Sequence, residues 1–274
     1  TMRDCKDFLT KYEDVANFKV YGTNNYTHQF ISEVFPGTVK YDRTKINICT
    51  IDIEVGSEDG FPEPEEAKYE IITITIKNNN GSIYHTWGTK EFNADKCTQS
   101  VLYRKCADER DLLLDFLEYW ENHIPDILTG WYSDSFDIPY IVNRIRRILG
   151  DDAILGLSPW RRVEVNDKKI AGKEIPGFNI VGVSQLDYID LFKKFTLNTL
   201  GQQESYKLDH IANVVLGEKK LDYSEHGSLH LLYKHDYQKF VEYNIKDVEL
   251  VDKLEDKLGL IDLVLTMAYR AKCS

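Results

Sequence analysis

This chain is short of positive charge. Its 274 residues carry 34 Lys and Arg against 45 Asp and Glu, a formal net charge of −11. That balance argues against nucleic-acid binding by bulk electrostatics, because such proteins are usually basic on at least one face. It leaves room for a local basic path, or for a site where metal ions supply the positive charge. Cysteine is sparse too. Cys5, Cys49, Cys97, Cys106 and Cys273 are odd in number and none are spaced as Cys-x-x-Cys, which argues against a disulfide framework or a zinc site and for reduced thiols in a cytoplasmic protein. No apolar run approaches the roughly 20 residues needed to cross a bilayer, so no membrane partner is expected. Internal repeats and low-complexity tracts are missing as well. What is present is a globular composition, 42% hydrophobic, sufficient for one large domain or two ordinary ones. The opening, TMRDCKDFLTKYED, reads as the middle of a longer protein.

Segments 46–55, 70–77 and 82–88 are rich in Ile, Thr, Val, Tyr and Trp, and NNNG (78–81) is a strong turn, so three antiparallel strands are expected. An irregular stretch holding Cys97 and Cys106 follows. Leu112, Leu113, Phe116, Leu117 and Trp120 then recur at helical spacing over 108–123, with acids in the first turn. PDILTGWYS (125–133) reads as a short buried strand, and 138–150 as a helix with Pro139 near its start and Gly150 at its end. This order implies an α/β fold, a mixed sheet flanked by helices. Residues 160–184 alternate around a Lys-rich centre, the pattern of an extended hairpin or a loop projecting from the domain. From residue 186 onward the patterns are helical, and 236–270 reads as one helix or a pair broken at Gly259. Residues 1–45 form a separate piece, a helix followed by a Tyr- and Asn-containing strand or loop.

The acids raise the functional question. In TIDIEV (50–55) Asp52 and Glu54 project from one face of a strand while Ile51, Ile53 and Val55 project from the other. Like charges so close repel unless something positive lies between them. Taken alone, the pair also suits a half-exposed edge strand. Asp137 stands just before a helix start and suits N-capping as well as catalysis. Tyr243 and Asp247, four apart in YNIKDVEL, share a helix face that borders the apolar positions 240, 248 and 251, and a solvated surface is the plain alternative. Taken together, two acids from a strand, one from a helix start and one from a distant helix with a tyrosine one turn before it match the Asp-Glu-Asp-Asp set of DEDDy-type 3′→5′ exonucleases. Such a set suits two hard cations, Mg²⁺ or Mn²⁺, bridging a phosphodiester, with the tyrosine hydroxyl orienting the attacking water.

The flanking text carries the likeness further. TIDIEVGSEDGFPEPEEAKYEI, ILTGWYSDSFDIPYIVNRI, LDYIDLFKKF and YNIKDVELVDKLEDKLGLIDLVLTMAYRAK resemble, in order, the exonuclease region of family B DNA polymerases, most of all those of T-even-type bacteriophages. The resemblance implies a ribonuclease H-like exonuclease domain over 46–274, with 1–45 as the end of the family's N-terminal domain and VKYDR just before the first motif. It implies Asp52, Glu54, Asp137 and Asp247 as metal ligands, with Tyr243 and Lys220 at the reaction centre. It implies Phe61, Phe136 and Tyr132 as DNA contacts, and the 160–184 loop as a β-hairpin that helps part primer from template. The second motif of the family usually begins Asn-x-x-x-Phe-Asp, and Tyr132 occupies the Asn place here, which removes an amide able both to donate and to accept. Arg144, Arg146, Arg147, Arg161, Arg162, Lys168, Lys169, Lys193 and Lys194 are candidates for a single-strand path. The implied partners are single-stranded or frayed primer-template DNA, a polymerase domain in the same chain, and a sliding clamp and other replisome proteins, in the cytoplasm of an infected bacterial host. Two other readings are a stand-alone exonuclease acting on RNA and a non-catalytic module that binds single strands.

Overall fold

The structure is a computed structural model that describes residues 2–18, 26–37, 42–57, 60, 62–166, 168–170, 173–175, 177–218 and 229–272. Two compact units are present: residues 44–260, and residues 1–43 together with 261–274.

The larger unit is built on the β-branched runs read above. Strands β1 (Ile48–Val55), β2 (Ile71–Asn78) and β3 (Ile83–Gly88) form the expected antiparallel meander. The Gly81 N–H closes the NNNG turn on the Asn78 carbonyl at 3.1 Å. The register sets Asp52 opposite Thr75 and Glu54 opposite Thr73, with a bulge between Glu54 and Val55. One strand escaped the sequence reading. Residues Ser100–Lys105, expected to be irregular, form β4 and pair in parallel with β3. As an edge strand it is half exposed along its length, so it lacks the apolar run that marks a buried strand.

Strand β5 (Ile127–Thr129) runs parallel to β1 and is shorter than the 125–133 expected. It stops at Gly130, where a Cβ would lie 2.6 Å from the Ile51 carbonyl oxygen, so only glycine lets the chain leave β1 there. A two-residue strand, Ser184–Gln185, extends the sheet beyond β5. The complete order is Ser184–Gln185, β5, β1, β2, β3, β4, a mixed six-stranded sheet of ribonuclease H-like type. Within 160–184, Val163–Val165 pairs antiparallel with Phe178–Ile180, and Lys168–Ile170 with Lys173–Ile175. The hairpin expected there is therefore present, separate from the main sheet.

Helices cover both faces. On one, the apolar side chains of β1 (Cys49, Ile51, Ile53) meet α3 (Glu109–Asn122) and α4 (Asp137–Leu149), with Leu112, Leu113, Phe116 and Trp120 buried as their spacing predicts. Each such side chain contributes roughly 1.5–3 kcal/mol by leaving water. Helix α3 starts on Asp108, whose carboxylate accepts the Asp111 N–H at 2.9 Å. Helices α5 (Tyr188–Leu200), α6 (Leu208–Leu216) and α7 (Leu229–His235) follow. The other face of the sheet carries α8 (Tyr237–Leu258), which buries Val241, Ile245 and Val248 against Tyr84. It ends at Gly259, left-handed at φ 61°, before α9 (Leu260–Ala271), so the break lies where it was expected.

In the smaller unit α1 spans Met2–Tyr12 and α2 spans Tyr26–Val34. The second of these replaces the strand or loop expected after the first helix. A Gln29 to Glu33 side-chain hydrogen bond of 2.8 Å, one turn apart, supports the helix, and the β preference of Tyr and Thr is too weak to oppose it. Among the described residues no helix is long and apolar enough to cross a membrane, and Cys5, Cys49, Cys97 and Cys106 are free thiols.

Candidate active site

The polar face of β1 lies under α8. One carboxylate oxygen from each of Asp52, Glu54 and Asp247 falls within 4.8 Å of the others. Asp52 and Glu54 are half-buried and Asp247 is buried. At that spacing each pair of charges repels by about 3–4 kcal/mol at an effective dielectric of about 20. Three such oxygens facing one another could hold a hard divalent cation, whose charge would remove the repulsion. Helix α8 contributes more than Asp247. The amide nitrogen of Asn244 donates to Asp52 Oδ2 at 2.6 Å, and Tyr243, one turn before Asp247, is buried beside it.

Asp137 arrives from the opposite face. Because β5 ends at Thr129, the Ile53 N–H has no strand partner on that side, and Asp137 Oδ1 accepts it at 3.0 Å. Capping is not its role. Phe136 holds the N-cap position of α4 with no side-chain cap, and Asp137 is the first helical residue. Its carboxyl is pushed up to about 7, chiefly by burial; the Ile53 N–H opposes this, while the charges of Asp187 and Asp247 add to it. Asp137 thus reaches β1 between Asp52 and Glu54, outside the set of three oxygens.

Two supports were not recognised in the sequence as site residues. Asp187, buried, caps α5 through the Ile189 N–H, and also accepts the N–H groups of Tyr132 at 3.0 Å and Asp134 at 3.1 Å. It thereby fixes the loop that leads into Asp137. Its own carboxyl is pushed up to about 7 by burial and by the neighbouring Asp134 charge. The Asp before a helical run in LDYIDLF was a visible capping signal; its reach to residues 132 and 134 was not. Asn244 is the second support. Further along the same face, Thr50 Oγ1 donates to Asp252 Oδ1 at 2.6 Å and Lys77 pairs with Asp252 Oδ2 at 2.5 Å.

The remaining candidates divide. Tyr132 is 45% exposed and sits at φ 68°, with the Lys193 ammonium 5.5 Å from its ring. Phe136 is partly buried against the core, its ring 5.5 Å from that of Tyr140. Phe61 and Lys220 lie outside the described residues. Most of the basic residues proposed for a strand path are engaged elsewhere. Arg144 is buried on Glu109 and also holds the carbonyls of Ala67 and Lys68. Arg146 pairs with Asp151, Arg161 with Glu121 and Arg162 with Glu164, and Arg147 donates to the Glu66 carbonyl. The side chains of Lys168 and Lys169 lie outside the described residues.

Comparison with known proteins meets this geometry from a separate direction. Residues 11–211 match DNA polymerase family B, exonuclease domain. The chain is 35% identical to the DNA-directed DNA polymerase of Escherichia phage RB69 and 34% identical to that of Enterobacteria phage T4, in each case over 99% of this chain and 32% of the relative. DNA polymerase 1 of Sulfolobus acidocaldarius is 29% identical over 76% of the chain and 22% of the relative. The chain spans about a third of the length of the phage relatives it matches. With residues 11–211 inside the family's pattern, the chain belongs to the exonuclease-domain family of the family B DNA polymerases.

Proposed function

We propose that this domain is a metal-dependent DEDDy 3′→5′ exodeoxyribonuclease that removes 3′-terminal nucleotides from single-stranded or frayed DNA. The observation that carries the reading is the convergence of Asp52, Glu54 and Asp247 oxygens within 4.8 Å, with Asp137 bonded to the backbone between the two strand acids. Asp52, Glu54 and Asp247 would hold one Mg²⁺ or Mn²⁺, and Asp52, with Asp137 through water, a second. The pair of ions would stabilise the attacking and leaving oxygens of the phosphodiester. Tyr243 orients the attacking water through its hydroxyl, and Lys220 adds positive charge at the same centre. Tyr132, with Phe61 and Phe136, contacts the terminal bases, where stacking tolerates any sequence.

As part of a longer polymerase acting on primer-template DNA, the domain would proofread. That protein would work in the cytoplasm of an infected bacterial host, beside a sliding clamp and other replisome proteins. The test is direct. With a 5′-labelled single-stranded oligonucleotide and Mg²⁺, Asp52→Ala combined with Glu54→Ala is expected to reduce shortening of the strand to the metal-free background. Undiminished shortening in the double variant would overturn the mechanism. Equal rates on a matched RNA would favour a stand-alone exonuclease acting on RNA, and binding without shortening in the unaltered domain would make it a binding module.

A further inference from the structure

Asn244 is an unusual residue for its place. Asparagine is a poor helix former, and a fully buried amide is costly unless its hydrogen-bonding groups are matched. Yet it sits inside α8 with no exposed surface. Its contacts explain it. Asp52 as a carboxylate can only accept, so the amide nitrogen must face Asp52 Oδ2, at 2.6 Å. The amide oxygen then faces Thr73 Oγ1 at 3.3 Å, and Thr73 is itself wholly buried on β2, directly opposite Glu54. A single line of bonds, Thr73 to Asn244 to Asp52, therefore crosses from β2 through α8 to β1. It ends on an acid of the triad, and Asn244 lies on the same helical turn as Asp247.

We propose that Asn244 is a positioning residue that holds the Asp52 carboxylate in its metal-binding orientation, with Thr73 fixing which way the amide points. The inference rests on the metal-site reading given above. Without the amide, Asp52 loses one of the bonds that fix its orientation toward Glu54 and Asp247, so each binding event must first restore that orientation.

Mn²⁺ is the probe, titrated into the domain while free Mn²⁺ is followed by electron paramagnetic resonance. Asn244→Ala is expected to weaken Mn²⁺ binding by about 10–100-fold. The Mn²⁺ concentration for half-maximal strand shortening should rise by the same factor, with KM for the oligonucleotide unchanged. Thr73→Val, nearly the same shape and without the hydroxyl, is expected to produce a smaller loss in the same direction, and it carries the test if Asn244→Ala does not fold. A purely structural role for Asn244 would lower the melting temperature and leave the Mn²⁺ midpoint where it was. That outcome, or unaltered Mn²⁺ affinity in Thr73→Val where Asn244→Ala is unfolded, would overturn the proposal. Asp52→Ala separates the two readings. If it too binds Mn²⁺ like the unaltered domain, the metal site itself is wrong; if it loses binding while Asn244→Ala keeps it, only the role of Asn244 falls.

Discussion

Tyr132 carries a cost that only its backbone reveals. A non-glycine residue at φ 68° is held in the left-handed region at roughly 1–2 kcal/mol, a region that asparagine tolerates far better than tyrosine. Tyr132→Asn is accordingly expected to stabilise the domain by about 1 kcal/mol in a denaturant titration. If its exposed ring serves as a base platform, the same change should weaken binding to a single-stranded oligonucleotide by about 1–3 kcal/mol, and Tyr132→Phe should not. Greater stability together with unweakened binding would show that the strain serves no contact with DNA. The sequence marked Tyr132 as a departure from its family, but the sign of a dihedral angle has no signature in composition or spacing.

Asp187 offers a second test on a single side chain. Its folded pKa, about 7, lies above the usual carboxylate value because of burial and the Asp134 charge. The native domain therefore binds a proton there that the unfolded chain has already lost. This stabilisation is complete below about pH 4 and disappears as pH rises through about 7. Asp187→Asn should flatten the fall in melting temperature between pH 5 and 8 in metal-free buffer, even though its lone acceptor oxygen lowers the plateau. An unchanged slope would remove Asp187 as its source.

Among the elements, α4 does two jobs. Its first residue reaches β1, and its later turns anchor the segment that leaves β1. Tyr140 exchanges hydrogen bonds with the Tyr69 backbone, Asn143 donates to the Pro64 carbonyl, and Arg144 grips the Ala67 and Lys68 carbonyls from its buried pair with Glu109. Removing one member of a buried pair strands the other's charge. Arg144→Met alone is therefore expected to cost about 3–5 kcal/mol in chemical denaturation, and adding Glu109→Leu should recover much of it.

The elements also show what a sequence can disclose. β1, β2, β3, α3 and the break at Gly259 could be read because each announces itself within a dozen residues, by alternation, helical spacing or glycine. Strand β4 could not, since it is an edge defined by its pairing with β3. The true end of β5 is set by contact between Gly130 and Ile51, residues far apart in the chain. The acids divide the same way. Asp52, Glu54, Asp137, Tyr243 and Asp247 stood out as polar residues in apolar settings, whereas Asn244 and Asp187 were ordinary until the fold brought them to Asp52 and Tyr132.

For the molecule as a whole, an excess of acid concentrated partly at one point means that cations should act on folding as well as on chemistry. If Mn²⁺ binds the native triad and not the unfolded chain, a concentration of 100 Kd should stabilise the domain by about 2.7 kcal/mol. The rise in melting temperature should exceed that in Na⁺ of matched ionic strength, and should vanish in Asp52→Ala. The two faces of β1 carry a heritable consequence. Changes at Cys49, Ile51 or Ile53 loosen the core and should reduce how much protein a cell accumulates. Changes at Asp52 or Glu54 should leave its amount intact and, on the proofreading proposed above, lower the fidelity of copying. Scored residue by residue from Ile51 to Glu54, abundance and fidelity would alternate, and accuracy could be lost without losing the protein.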